Sequence, residues 1–251
     1  MKRLLGVGLV AAGIVAVGCS KYEKRLDSTL ERMKYQQRLD QYLKPAEAGP
    51  FRDLGIHLRV PKGMNAAKEV QVVPEEGAFD LVANFADPAA GGGGAQAKEG
   101  APPPQPLRLN VLARVKRKKA PPKKGETPPP EVPRGEFKAD VRALLAASLG
   151  NPEDAQNKAD AAERKRNNEY RRLIFTAGNG NVVRAYLYKI AEYDVALIWN
   201  IPPAAERAAA TPIDLSLETL AVGPRALNLF QGGSDDEPPA AGTAPGAGTA
   251  F

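Results

Sequence analysis

The chain is poor in the residues that most often carry chemistry. Its 251 residues include one cysteine, Cys19, one histidine, His57, one tryptophan and three methionines, and aromatics make up only 6%. One cysteine excludes a disulfide within the chain, so a folded domain must rest on its hydrophobic core. One cysteine and one histidine exclude the His/Cys ligand sets of zinc sites. The longest apolar run, Leu4 to Val17, falls short of the ~20 residues a membrane-crossing helix needs. The glycines at 91–94 lack the Lys-Ser/Thr ending of a phosphate loop, and no Asp-x-Asp-x-Asp-Gly calcium loop occurs. No serine stands in a nucleophile elbow. No cofactor is implied.

Charge is also limited. The formal net charge is +6, and without Lys2 and Arg3 it falls to about +4. That excess is uneven. Arg114 to Lys119, with Lys123 and Lys124, is basic, while Asp235-Asp236-Glu237 is acidic. Aromatics for base stacking are not interleaved with the basic run, so nucleic acid is not an expected partner. The run reads either as a solvated loop between proline clusters or as a contact for an anionic ligand or an envelope protein.

What is present is a leader. Lys2-Arg3, the apolar run and the small residue Gly18 precede Cys19, the order of a charged region, an apolar region and a cleavage site. Ala16-Val17-Gly18-Cys19 resembles the lipobox of bacterial lipoprotein signals, with Ala16 where that family prefers Leu. The resemblance covers the first 19 residues. It implies a signal peptide at 1–18 and a diacylglycerol on the Cys19 sulfur, with a further acyl chain on the new N-terminus. More than one acyl chain anchors stably. It also implies that the partner of Cys19 is a membrane. Ser20, where inner-membrane retention uses Asp, points to the periplasmic face of the outer membrane.

Along the chain, residues 19–49 form the anchored N-terminus. Within it Tyr22, Leu26, Leu30 and Met33 recur at steps of three and four, which predicts an amphipathic helix stopped at Pro45. Such a helix is a spacer, a pairing element or a segment packed on its own domain. Residues 50–230 read as the folded domain. Alternating apolar residues predict strands at 56–60, 79–85 and 107–115. Low-complexity insertions lie near 87–106 and 116–134. Phe137, Val141, Leu145 and Leu149 with Gly150 predict a helix. Asn151-Pro152 reads as a further, polar helix start. Tyr170 to Ile201 predicts a three-stranded antiparallel meander with a tight Asn179-Gly180 turn and a second turn at Ala191-Glu192. Thr211-Pro212 opens a closing helix that stops at Gly223. Residues 231–251 read as a disordered tail.

This order predicts an α+β fold: an antiparallel sheet with a C-terminal three-stranded meander and flanking helices, preceded by an amphipathic helix. The segment from Gly55 to Gly63, the mid-chain helix, the hairpin from Tyr170 to Asn200 and the closing helix are similar to the PsbP-type fold over about residues 50 to 225. That resemblance implies a binding scaffold and names no ligand.

Few residues stand out as sites. His57 lies on the polar side of its strand and reads as a solvated or hydrogen-bonded surface residue. Glu75, Glu76, Asp80 and Asp87 show no spacing that commits two of them to acid–base work. Arg184, Tyr186 and Tyr188 share one side of the returning strand and form either a binding surface or a cross-strand row. The expectation is a membrane-anchored, non-catalytic envelope lipoprotein that binds or helps assemble a partner. The rival readings are a lipid-anchored hydrolase with an unrecognised site, and a structural protein that self-associates through the 21–44 helix.

Overall fold

The computed structural model describes residues 5–69, 71–88, 105–116, 134–150 and 158–233. The helix α1 (Leu5–Tyr42) is a unit by itself. Tyr22, Leu26, Leu30 and Met33 lie on this helix, as their spacing predicts, and all four are exposed. Among the described residues, no helix is long and apolar enough to cross a membrane.

The second unit starts at Leu43, earlier than composition suggests. The helix ends at Tyr42, and Leu43–Ala46 forms strand β1. It pairs antiparallel with β3 (Arg59–Pro61). Pro45 cannot continue a helix. Arg59 then fixes the strand, its Nε donating to Lys44 O at 2.8 Å and its Nη2 to Leu43 O at 3.5 Å. Strand β2 (Ile56–His57) pairs with β11 (Ala221–Val222).

The main sheet contains β4 (Asn65–Ala66), β5 (Leu81–Asp87), β6 (Leu107–Val115), β7 (Lys158–Lys165), β8 (Asn168–Thr176), β9 (Val182–Ile190) and β10 (Tyr193–Ile201). Their order is β4-β5-β6-β10-β9-β8-β7, and every pairing is antiparallel. The predicted meander is β8–β10. Helix α2 (Pro50–Asp53), α3 (Phe137–Ser148), α4 (Glu206–Thr219) and α5 (Pro224–Phe230) complete an α+β architecture.

Both faces of this sheet are buried. On the first, Leu109, Val111, Leu197 and Trp199 pack with Ala209, Ile213 and Leu217 of α4 and with Phe51, Leu58 and Val60. On the second, Leu112, Leu173, Ala185 and Ile198 pack with Phe137, Val141 and Leu145 of α3. A strand covered on both sides reads as a nearly continuous apolar run. The central strand β10 is such a run, with buried residues from Asp194 to Ile201.

Three local readings change. Lys158–Lys165 is a strand, not part of a helix begun at Asn151, and residues 151–157 lie outside the described residues. It folds back onto β8 through Arg166-Asn167, with Arg166 at φ 49. The charges that suggested an exposed helix also suit an edge strand, where they discourage pairing with another chain. Next, the closing helix begins at Glu206, after a 3-10 turn at Pro203–Ala205, so Pro212 lies inside it. The alanines before Pro212 are strong helix formers. The helix ends at Thr219, and the apolar residues beyond it form β11 before Gly223, at φ 62, opens α5. Last, the β8–β9 turn is not a two-residue Asn-Gly turn. Ala177 N donates to Asn181 O at 2.8 Å, Gly180 N donates to Ala177 O at 2.9 Å, and Gly180 alone takes a positive φ, 82. That is a three-residue loop closed by a left-handed glycine.

The 89–104 and 117–133 parts of the predicted insertions, and the tail from residue 234, lie outside the described residues.

Candidate functional site

The candidate site is a cleft between α3 and the loop from Val73 to Phe79. It holds about 470 Å³. One wall is the side of α3 next to the buried face of Phe137, Val141 and Leu145, and it presents Asp140, Ala143, Leu144 and Ala147. The opposite wall is Val73, Pro74, Ala78 and Phe79. Val73 is 68% exposed, a large apolar side chain left at the mouth.

The rim is set by a turn. Glu75-Glu76-Gly77-Ala78 is closed by Ala78 N donating to Glu75 O at 3.1 Å, with Gly77 at φ 78. A left-handed third residue favours glycine. The two central positions therefore carry Glu76 and Gly77, and the turn holds Glu75 and Glu76 exposed at the lining.

Arg114 and Arg134 also line the cleft, and both are occupied by the protein. The Arg114 guanidinium is buried against Phe79 and Phe137, at 4.8 and 5.6 Å from the ring centres. It donates to Ala78 O at 2.7 Å, to Gly135 O at 3.0 Å and to Asp140 Oδ2 at 2.5 Å. It thus ties the loop to the start of α3. Arg134 forms a two-pronged pair with Asp80, both contacts at 2.9 Å. These bonds hold the Arg134 guanidinium above its ordinary value. Asp80 Oδ2 also accepts from Val115 N at 2.8 Å. Charge-assisted pairs of this kind are the strong ones. Among the described residues, neither Glu75 nor Glu76 has an ion-pair partner.

The sequence candidates fall in different places. Glu75 and Glu76 come together at the cleft, and Asp80 stands behind it on Arg134. Asp87 is at the far end of β5, near Gly63. His57 is half-buried, its Nδ1 3.1 Å from Thr219 O and its ring edge-on to Phe230 at 5.2 Å. It is hydrogen-bonded, but half-buried under α5 and not a surface residue. Arg184, Tyr186 and Tyr188 do not form a surface. Tyr186 and Tyr188 are 2% and 6% exposed in the first-face core, and Arg184 pairs with Glu206 at 2.6 Å. Strand alternation marks the two sides of a sheet but not which of them a helix covers, and α4 covers this one. Arg114, the start of the basic run, belongs to the interior. Cys19 lies on the backbone of α1. Asp140, Arg134 and the wall of α3 were missed, because their pairing joins segments far apart in sequence. The Gly77 turn after two acids was the one local signal.

Among the described residues, no group of three or more His, Cys, Asp or Glu is placed to hold a metal ion.

No protein family matches the chain, and no curated protein matches it. Solved structures similar to it include cyanobacterial PsbP (CyanoP) from Synechocystis, at 12% identity and a TM-score of 0.39, over 72% of this chain and 93% of that one. LpqN, involved in cell envelope biogenesis of Mycobacterium tuberculosis, is similar at 10% identity and a TM-score of 0.34, over 67% and 83%. A Bacteroides thetaiotaomicron protein is similar at 9% identity and a TM-score of 0.35, over 67% of this chain and 45% of that one.

Proposed function

We propose that this is a lipid-anchored, non-catalytic envelope protein whose α+β domain binds a partner through the cleft on α3. The observation that carries the reading is the pairing of a lipobox-like leader ending at Cys19 with a domain that keeps an open cleft of apolar walls and a charged rim. Anchoring confines the domain to a surface and raises its effective concentration for a partner there. The cleft chemistry favours binding over catalysis. General acids and bases need a desolvated or strongly coupled group near the reacting atoms. Here Asp140 and Asp80 are held by arginines, and Glu75 and Glu76 face water.

The test is the mass of the mature N-terminus and the membrane partitioning of the wild-type chain and of Cys19→Ala in a bacterial host. The expected result is lipid mass on Cys19, with membrane association lost in the variant. An unlipidated product, or one that keeps Met1, overturns the anchor.

A further inference from the structure

We infer that the cleft on α3 docks a partner-protein segment in which an apolar side chain lies between basic residues. The inference rests on the binding-module reading above and names the chemistry of its ligand.

The charge balance of the lining decides the sign. Arg114 is neutralised by Asp140 at 2.5 Å, and Arg134 by Asp80 at 2.9 Å. Each guanidinium charge is already balanced by a carboxylate, so the two pairs offer an anionic ligand little net positive charge. Among the described residues, the charges left over at the lining are Glu75 and Glu76, side by side at the rim. They favour a cation at the mouth and repel an acid.

The wall chemistry decides the rest. Ala143, Leu144 and Ala147 of α3 face Phe79 and Val73 across the space. Alanines at two successive turns leave a trough along the helix where larger residues would close it. The volume of about 470 Å³ is of the size that takes a few side chains rather than one ion. The exposed Val73 continues the apolar wall to the mouth. Ligand burial against these walls with lysine or arginine on Glu75 and Glu76 satisfies both features together.

The experiment measures fluorescence anisotropy of three labelled peptides on the purified full chain. All share a Leu-Phe-Leu centre, flanked by Lys-Lys, Gln-Gln or Glu-Glu pairs. The expected order of affinity is Lys-flanked, then Gln-flanked, then Glu-flanked, with at least tenfold between the extremes. Glu75→Lys with Glu76→Lys reverses the order. Ala143→Trp, which fills the trough, weakens the Lys-flanked peptide at least tenfold. Val73→Asp, at an exposed position, checks the same wall without touching the interior. Thermal unfolding of each variant separates loss of binding from loss of fold.

Several outcomes overturn the proposal. One is a preference for the Glu-flanked peptide. Another is unchanged affinity in both folded wall variants. A third is binding of dodecyltrimethylammonium below its micelle concentration with no peptide bound, which assigns the cleft to a small cationic amphiphile. In these three cases the binding-module reading stands. If neither the peptides nor the amphiphile binds, and Cys19→Ala fractionates like the wild type, the module reading falls as well.

Discussion

Asn168 and Asn110 are both buried on the central sheet, at 1% and 2% exposure, one on each face. On the first face Asn168 Nδ2 donates to Leu220 O at 2.8 Å and to Leu217 O at 3.0 Å, while its Oδ1 accepts from Arg225 at 3.0 Å. Tyr170 adds a bond to Leu217 O at 2.6 Å. The end of α4 leaves carbonyls without helical partners, and β8 supplies the donors. On the second face Asn110 stands directly opposite Asn84, and neither Asn110 Nδ2 nor Asn84 Oδ1 has a protein partner. The first face has exceptions in Trp199 Nε1 and Arg184 Nε, and the second has fully bonded groups in Arg114 and Asn200. The contrast between scaffold and site is therefore drawn at these two positions. Asn168 fixes the end of α4 to the sheet, and the Asn110–Asn84 pair leaves polar groups uncommitted.

The comparison predicts its largest effect in matched core truncations. Leu217 on α4 and Leu145 on α3 are each fully buried. A leucine truncation costs the lost burial plus a cavity term that depends on how well the site closes. Leu217→Ala is therefore expected to cost about 3–5 kcal/mol and Leu145→Ala about 2–3 kcal/mol, because α3 borders the open cleft and can settle inward. Urea unfolding of the two variants measures both. Equal costs, or a larger one at Leu145, break the distinction between the faces.

The next effect is sharper in sign. Asn168→Leu removes the side-chain donor to Leu220 O, one of two donors to Leu217 O and an acceptor of Arg225, and an orphaned buried polar group costs about 1–3 kcal/mol. Asn110→Leu removes a donor that has no protein partner, so its stability stays within about 1 kcal/mol of wild type and shifts upward if at all. Chemical denaturation of these two variants at one pH is sufficient. A loss at Asn110 as large as that at Asn168 would show that a bridging water does on the second face what α4 does on the first.

Much of this architecture was legible in the chain. The strands at 81–87 and 107–115, the helix from Phe137 and the meander all carry regular apolar spacing, and spacing is a local property. What was hidden depends on contacts distant in sequence. Tyr186 and Tyr188 look like a polar surface until α4 is laid over them. Lys158–Lys165 looks like an exposed helix because an edge strand and a solvated helix share the same charges. The cleft is the extreme case. Arg114 and Asp140 are separated by an insertion, and their pairing turns Arg114 from the head of a basic run into part of the wall, with Arg134 held beside it by Asp80.

Alkaline pH tests the first face again. Burial raises the Tyr170 phenol well above its ordinary value near 10, with the neighbouring Tyr188 acting in the same direction. The unfolded chain therefore ionises first. The contribution is complete below about pH 10 and declines as pH rises from there toward the folded value, by at most ~1.4 kcal/mol per pH unit. Urea midpoints measured between pH 8 and 11 are expected to fall more steeply for wild type than for Tyr170→Phe. Parallel curves would mean that the phenol reaches water.

The smallest effect belongs to the second face and has the opposite pH sign. Lys138 and Arg142 of α3 both contact Asp160 on β7, Arg142 at 3.7 Å. The hydrogen bond from Lys138 lowers the Asp160 carboxyl below its ordinary value, with further attraction from Lys138, Arg171 and Arg142 and opposed by burial. A lowered folded value means that this contribution is present above the unfolded value near 3.8 and is lost as pH falls through the folded value. The pair is partly solvated, so Asp160→Asn is expected to cost no more than about 1 kcal/mol at neutral pH. Salt screens exposed charges but not buried neutral hydrogen bonds. The Asp160→Asn deficit should therefore shrink in 1 M sodium chloride and decline as pH falls below about 3.8, whereas the Asn168→Leu deficit holds through both. If Asp160 kept its full effect in high salt, the second face would be as firmly locked as the first, and the division between scaffold and site would not stand.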